Sequence, residues 1–187
     1  MAEIARMKTK VCLVGEAAVG KTSLIRRYVE DHFDDRYITT LGAKVSKRVE
    51  TFRPPEVERP VQIDLTMWDI MGEKAFRELL KEAFFHGAKG ILAVADITRY
   101  STLRELEAWV GSVFKVCGKV PVIIAVNKYD LREEATSPFG EREIQPIAGS
   151  FHAPFYYTSA KTGENVEAVF RRIAGMILER EGYPPEG

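Results

Sequence analysis

The chain has 187 residues, and 27 Lys plus Arg balance 27 Asp plus Glu, so no net charge steers it towards nucleic acid or an anionic membrane. Hydrophobic residues at 45% and charged residues at 29% exclude disorder and collagen-like repeats, and the length suits one domain over residues 1–187. Cys12 and Cys117 show neither CxxC nor Cys/His spacing, which excludes a metal or redox centre built on them and predicts two reduced, buried thiols.

In chain order, residues 10–14 form a short apolar run that predicts a strand. Residues 20–29 follow with Leu24, Ile25, Tyr28 and Val29 at helical spacing. Residues 44–52 and 61–68 alternate as strands, Val61, Ile63, Leu65 and Met67 sharing a face, and the Pro-rich PPEVERP between them suits an exposed hairpin turn. A helix is predicted over 73–85, a buried strand over 90–95, a helix over 101–114 and a strand over 121–126. A last short strand at 154–158 precedes a helix with Asn165 as its N-cap and an apolar stripe of Val166, Val169, Phe170, Ile173 and Ile177. Strands alternating with helices imply right-handed βαβ units. The expected fold is therefore three-layered: a six-stranded, mostly parallel sheet with one antiparallel edge strand and helices on both faces.

The longest apolar runs, 90–94 and 120–126, are far shorter than the ~20 residues that span a bilayer. The amino-terminal MAEIARMKTK has no apolar signal core and carries Ala2 where myristoylation needs glycine, and EREGYPPEG at the other end has no cysteine for prenylation. A cytoplasmic protein without an intrinsic membrane anchor is expected. His32, His86 and His152 lack metal spacing and are read as surface or packing residues, and Trp68 and Trp109 as core-facing.

Ligands of such sheets bind beyond the carboxyl ends of the strands, and the loops there carry the chemistry. Residues 15–22, GEAAVGKT, fit GxxxxGK[ST] between a predicted strand and helix. Gly15 and Gly20 allow the tight turn, and the N–H groups of Ala17, Ala18, Val19, Gly20, Lys21, Thr22 and Ser23 form an anion nest at a helix N-terminus. Lys21 would reach the β- and γ-phosphates and Thr22 would bind Mg²⁺. Asp69, in WDIMG at the end of the third strand, can hold Mg²⁺ through a water, and Gly72 supplies a flexible backbone N–H. In NKYD, the Asp130 carboxylate can accept from the N1–H and N2–H₂ edge of guanine, a paired donor set that adenine lacks. Lys128 can cover the purine, Asn127 can tie this loop to the phosphate loop, and the Ala160 N–H in TSAKTGENV can donate to guanine O6.

These motifs, in this order over residues 10–180, resemble the Ras-like small GTPases, and YITTLGAKV, WDIMGEKAFREL, FFHGAKG and TSAKTGENV are most similar to the Rab branch. The resemblance implies the three-layer P-loop NTPase fold and a switch that binds GTP and GDP with Mg²⁺ and slowly hydrolyses GTP. It implies that Thr40 binds Mg²⁺ and reports the γ-phosphate with Gly72, that Phe33 packs on the guanine, and that Tyr37, Ser159, Ala160 and Lys161 adjoin the nucleotide. It also implies a monomer that meets a GTPase-activating protein, an exchange factor and an effector through residues 36–46 and 70–85.

Several departures stand out. The Rab pattern IGVDF is replaced by Leu41, Gly42, Ala43, Lys44 and Val45, which removes an acidic and an aromatic group from the partner-binding edge. The lipid-bearing cysteines are absent, as in a trimmed chain or a prokaryotic member. Glu73 stands where the family has its catalytic glutamine, and Ala17 adds a methyl at the closest approach of an inserted arginine. Slow, pH-dependent hydrolysis is expected, with Lys21, Thr40, Gly72 and Glu73 as the catalytic set. Two alternatives stay open: a GTP-binding scaffold with little turnover, and an ATP-using P-loop kinase or ATPase.

Overall fold

The computed structural model describes residues 5–55, 57–137 and 139–183. Ala2, Glu56 of the connector and the carboxyl-terminal tail lie outside these residues. Strand β1 (Ala5–Val14) leads to helix α1 (Lys21–Glu30), and β2 (Ala43–Phe52) and β3 (Val61–Ile70) form the hairpin. Then follow α2 (Lys74–Phe85), β4 (Gly90–Asp96), α3 (Tyr100–Arg104), α4 (Leu106–Cys117), β5 (Val122–Asn127), α5 (Glu141–Ser150), β6 (Phe155–Tyr157) and α6 (Val166–Arg180).

The sheet order is β2-β3-β1-β4-β5-β6. The β2–β3 pair is antiparallel with Val45 opposite Trp68, and the other pairs are parallel, as expected. The chain leaves β1 through α1 towards the β2–β3 side and crosses back from β3 through α2 to β4 on the other side, so a crevice opens at the carboxyl end of β1.

Strand parity divides the core. Val11, Leu13, Leu92, Val94, Ile123 and Ala125 face α1 and α6, whereas Cys12, Val14, Ile91, Ala93, Ile124 and Val126 face α3, α4 and α5. The stripe of α6 is fully engaged, and the Phe170 ring stacks on Tyr28 of α1 at a centroid distance of 4.2 Å. Phe170→Ala is expected to lower unfolding free energy by about 3 to 5 kcal/mol, because a buried ring leaves a cavity between two helices that cannot fully close. Urea unfolding measures this, and an unchanged midpoint would contradict the assigned packing.

The structure departs from the sequence reading in several elements. Strand β1 begins at Ala5 because its polar first half pairs along β3, Ala5 opposite Val61. The helix predicted over 101–114 is interrupted at Glu105, giving α3 and α4. Helix α5 was not predicted. Asn165 precedes α6, but its backbone is left-handed (φ 54°) and its side chain donates to the Tyr157 carbonyl at 2.8 Å instead of capping. Cys12 is buried, and burial pushes its thiol up to about 12, but Cys117 on the last turn of α4 is only half-buried. Trp109 is fully buried, while Trp68 is half-buried with the Lys10 ammonium 3.6 Å over its ring. The three histidines are exposed. Among the described residues no helix is long and apolar enough to cross a membrane.

Candidate functional site

The loop between β1 and α1 turns where side chains do not fit. A Cβ on Gly15 (φ 143°) would lie 2.2 Å from the Val94 carbonyl oxygen, and one on Gly20 (φ 100°) 2.3 Å from Asn127 Nδ2. Lys21 opens α1 and folds back over this loop, its ammonium donating to the carbonyls of Gly15 at 2.9 Å and Glu16 at 2.8 Å. Burial pulls the Lys21 ammonium down to about 8, against the opposing fields of Asp69 and Glu16. A buried cation facing a cleft is suited to an anionic ligand.

Below it, three side chains from separate segments converge. The Thr22 hydroxyl donates to Asp69 Oδ2 and lies 3.0 Å from Thr40 Oγ1, which itself donates to Asp69 Oδ2 at 3.4 Å. Asp69 is 1% exposed, burial raises its carboxyl above the ordinary range, and its Oδ1 has no hydrogen-bond partner among the described residues. Two hydroxyls and a buried carboxylate with an orphan oxygen are hard donors that fit Mg²⁺.

Gly72, just after β3, lies against the phosphate loop so closely that a Cβ would sit 2.4 Å from the Ala17 nitrogen. Glu73 is exposed and extended (φ −90°, ψ 124°) at the start of α2 and faces the same cleft. Lys74 follows, its ammonium 2.9 Å from Glu105 Oε1 and 3.7 Å from Glu16 Oε1.

At the other end of the cleft, Asn127 Nδ2 donates to the Val19 carbonyl at 3.0 Å, while its Oδ1 accepts from Thr158 Oγ1 at 3.2 Å and the Ala160 amide at 3.3 Å. Ser159 Oγ donates to Asp130 Oδ1 at 2.6 Å. Lys128 takes a left-handed backbone (φ 62°) and its ammonium pairs with Asp96 Oδ2 at 2.7 Å. Burial alone would raise the Asp96 carboxyl, but bonds from Lys128 and Thr98 outweigh it and hold the group below its ordinary range.

The cleft is about 460 Å³, within the range of small-molecule sites. Every site residue singled out from the sequence lines it except Gly15, Val19, Asp69 and Ser159. Those four stand behind the wall, each tied to a lining residue: Gly15 to Lys21, Val19 to Asn127, Asp69 to Thr22 and Ser159 to Asp130. Sequence reasoning missed Asp96 and Arg99, whose guanidinium joins Asp96 Oδ2 at 3.1 Å to the Ala17 carbonyl at 2.9 Å. DITR reads as a turn after a strand, and only the buried position of Asp96 marks it.

With this geometry in place, comparison with known proteins decides the family. The model of the Ras family matches residues 10–179. The chain belongs to the Ras family. The Ras-related protein SEC4 of Candida albicans is 32% identical over 175 residues, covering 93% of this chain and 79% of that protein. Ras-related protein Rab-22A of Canis lupus familiaris is 32% identical over 186 residues, covering 98% and 91%, and Rab-21 of Geodia cydonium is 35% identical over 177 residues, covering 94% and 73%. These relatives place the GTPase in the Rab branch. It is a guanine-nucleotide switch that hydrolyses GTP, with GTP or GDP and Mg²⁺ as the ligands of its family and regulators and effectors as its kind of partner.

Proposed function

We propose that residues 1–187 form one monomeric G domain whose cleft binds guanine nucleotide along α1, phosphates at Lys21 and base at Asp130. The observation that carries this reading is the convergence of Thr22, Thr40 and Asp69 at the phosphate end, from three segments distant in sequence. Lys21 and the loop amides of Ala17, Ala18, Val19, Gly20, Thr22 and Ser23 take the phosphate oxygens. Thr22 and Thr40 would hold Mg²⁺, with Asp69 through a water, and the ion would neutralise charge developing on the phosphoryl oxygens. Asp130 accepts from the guanine N1–H and N2–H₂, the Ala160 amide serves O6, and Phe33 and the Lys128 stem flank the ring, beside Tyr37, Ser159 and Lys161.

Gly72 is the backbone contact of the γ-phosphate. When that group leaves, Thr40 and Gly72 lose a shared anion, and residues 36–46 and 70–85 change together. Tyr37, Ile38, Leu41 and Val45 are exposed on the first of these segments and Leu79 on the second, an apolar surface for regulator and effector. Lys44 on its β2 edge favours an effector that presents an acidic group there, beside the exposed apolar Val45.

Glu73 faces the cleft where it can accept a proton from the attacking water, yet it brings negative charge towards a triphosphate. Hydrolysis is therefore slow, and a partner supplies the missing donor. Single-turnover rates of the parent and Glu73→Gln test this. The expected result is a slow parent rate that changes in the variant, because the amide can donate as well as accept. Identical rates would remove Glu73 from catalysis, and the absence of any turnover would favour the scaffold reading.

A further inference from the structure

One side chain outside the cleft contacts the base loop directly. Arg27 lies on α1, six residues beyond Lys21, so one rigid helix carries both groups about 9 Å apart. Its Nε donates to the Ala160 carbonyl at 2.8 Å and its second terminal nitrogen to the Lys161 carbonyl at 2.6 Å. The remaining nitrogen is fixed by Asp31, at 3.0 Å to Oδ1 and 3.3 Å to the carbonyl. Local bonds shape the turn itself, Thr162 N to Ser159 Oγ at 3.1 Å and Gly163 N to the Ser159 carbonyl at 2.8 Å, while Asn127 and Asp130 tie its first residues to the neighbouring loop. Arg27 joins the carbonyls of Ala160 and Lys161 directly to α1, the helix that carries Lys21.

We propose that Arg27 is a positioning residue for base selection: by gripping the carbonyls of Ala160 and Lys161 it sets the Ala160 amide against the 6-oxygen of the purine. The proposal rests on the base-loop reading given above. That amide donates a long bond of 3.3 Å to Asn127 Oδ1, a partner that a carbonyl oxygen on the base can share or displace. A planar guanidinium reaching two carbonyls on one loop holds it with little rotational freedom, which a lysine at the same position cannot reproduce.

The test is competition against a fluorescent GDP by GDP, 6-thio-GDP and IDP, on the parent, Arg27→Met and Arg27→Lys. The thio analogue keeps the N1–H and amine that face Asp130 but replaces O6 by a larger, weaker acceptor; IDP keeps O6 and loses the amine. The parent is expected to prefer GDP over 6-thio-GDP, and Arg27→Met to narrow that ratio by about fivefold. The GDP to IDP ratio stays the same, and Arg27→Lys recovers part of the lost discrimination. Equal weakening of all three nucleotides would overturn the proposal and leave Arg27 as structural support only. If Arg27→Met fails to fold, the narrowing of the same ratio in Arg27→Lys decides, and an unnarrowed ratio there overturns the proposal. A parent that does not distinguish GDP from 6-thio-GDP would overturn the reading of Ala160 itself.

Discussion

Replacing Lys21 by alanine is expected to lower GDP affinity by roughly a hundredfold, the loss of a buried charge-assisted contact worth about 3 kcal/mol. The Lys21 ammonium is buried and donates to the neutral carbonyls of Gly15 and Glu16, and burial holds its pKa well below that of a solvated lysine. Phosphate oxygens in the cleft would add a directly bonded counter-charge. The truncation also frees both carbonyls, so the loop loses the clasp that keeps its amides convergent. Fluorescent-GDP titration checks this, and an unchanged affinity would remove Lys21 from the phosphate site.

Asp130→Asn is expected to exchange guanine for xanthine, shifting the ratio of GDP to xanthosine diphosphate affinity by roughly 10⁴-fold. Asp130 Oδ1 accepts from Ser159 at 2.6 Å, and the amide oxygen of asparagine can keep that bond and hold the loop in place. The other position then changes from an acceptor to an NH₂ donor. It repels the guanine amine and meets the C2 carbonyl of xanthine. Competition with the two diphosphates measures the shift, and a retained guanine preference would move base recognition away from Asp130.

The strands and loops of the site were legible because their signals are local: GEAAVGKT between a strand and a helix, and NKYD after an apolar run. Helix α5 was not, because Gly140, Pro146 and Gly149 make its segment read as a loop. It forms because Ile144 and Ala148 bury against the sheet and Glu143 accepts the Gly140 N–H at 2.9 Å, a tertiary gain that outweighs weak propensity. The same limit hid Arg27 and Arg99. Each acts on a carbonyl far away in sequence, Arg27 on Ala160 and Arg99 on Ala17, and a carbonyl has no residue-type signature. Asn165 illustrates the converse: its position was readable, but the left-handed backbone that turns its side chain to Tyr157 was not.

The most direct measurement is the nucleotide carried by the protein itself. Protein purified in Mg²⁺ and denatured is expected to release GDP or GTP at close to one equivalent per chain, identified by chromatography against standards. Release of an adenine nucleotide, or of none, would contradict a guanine-nucleotide switch built on Lys21, Asp69 and Asp130.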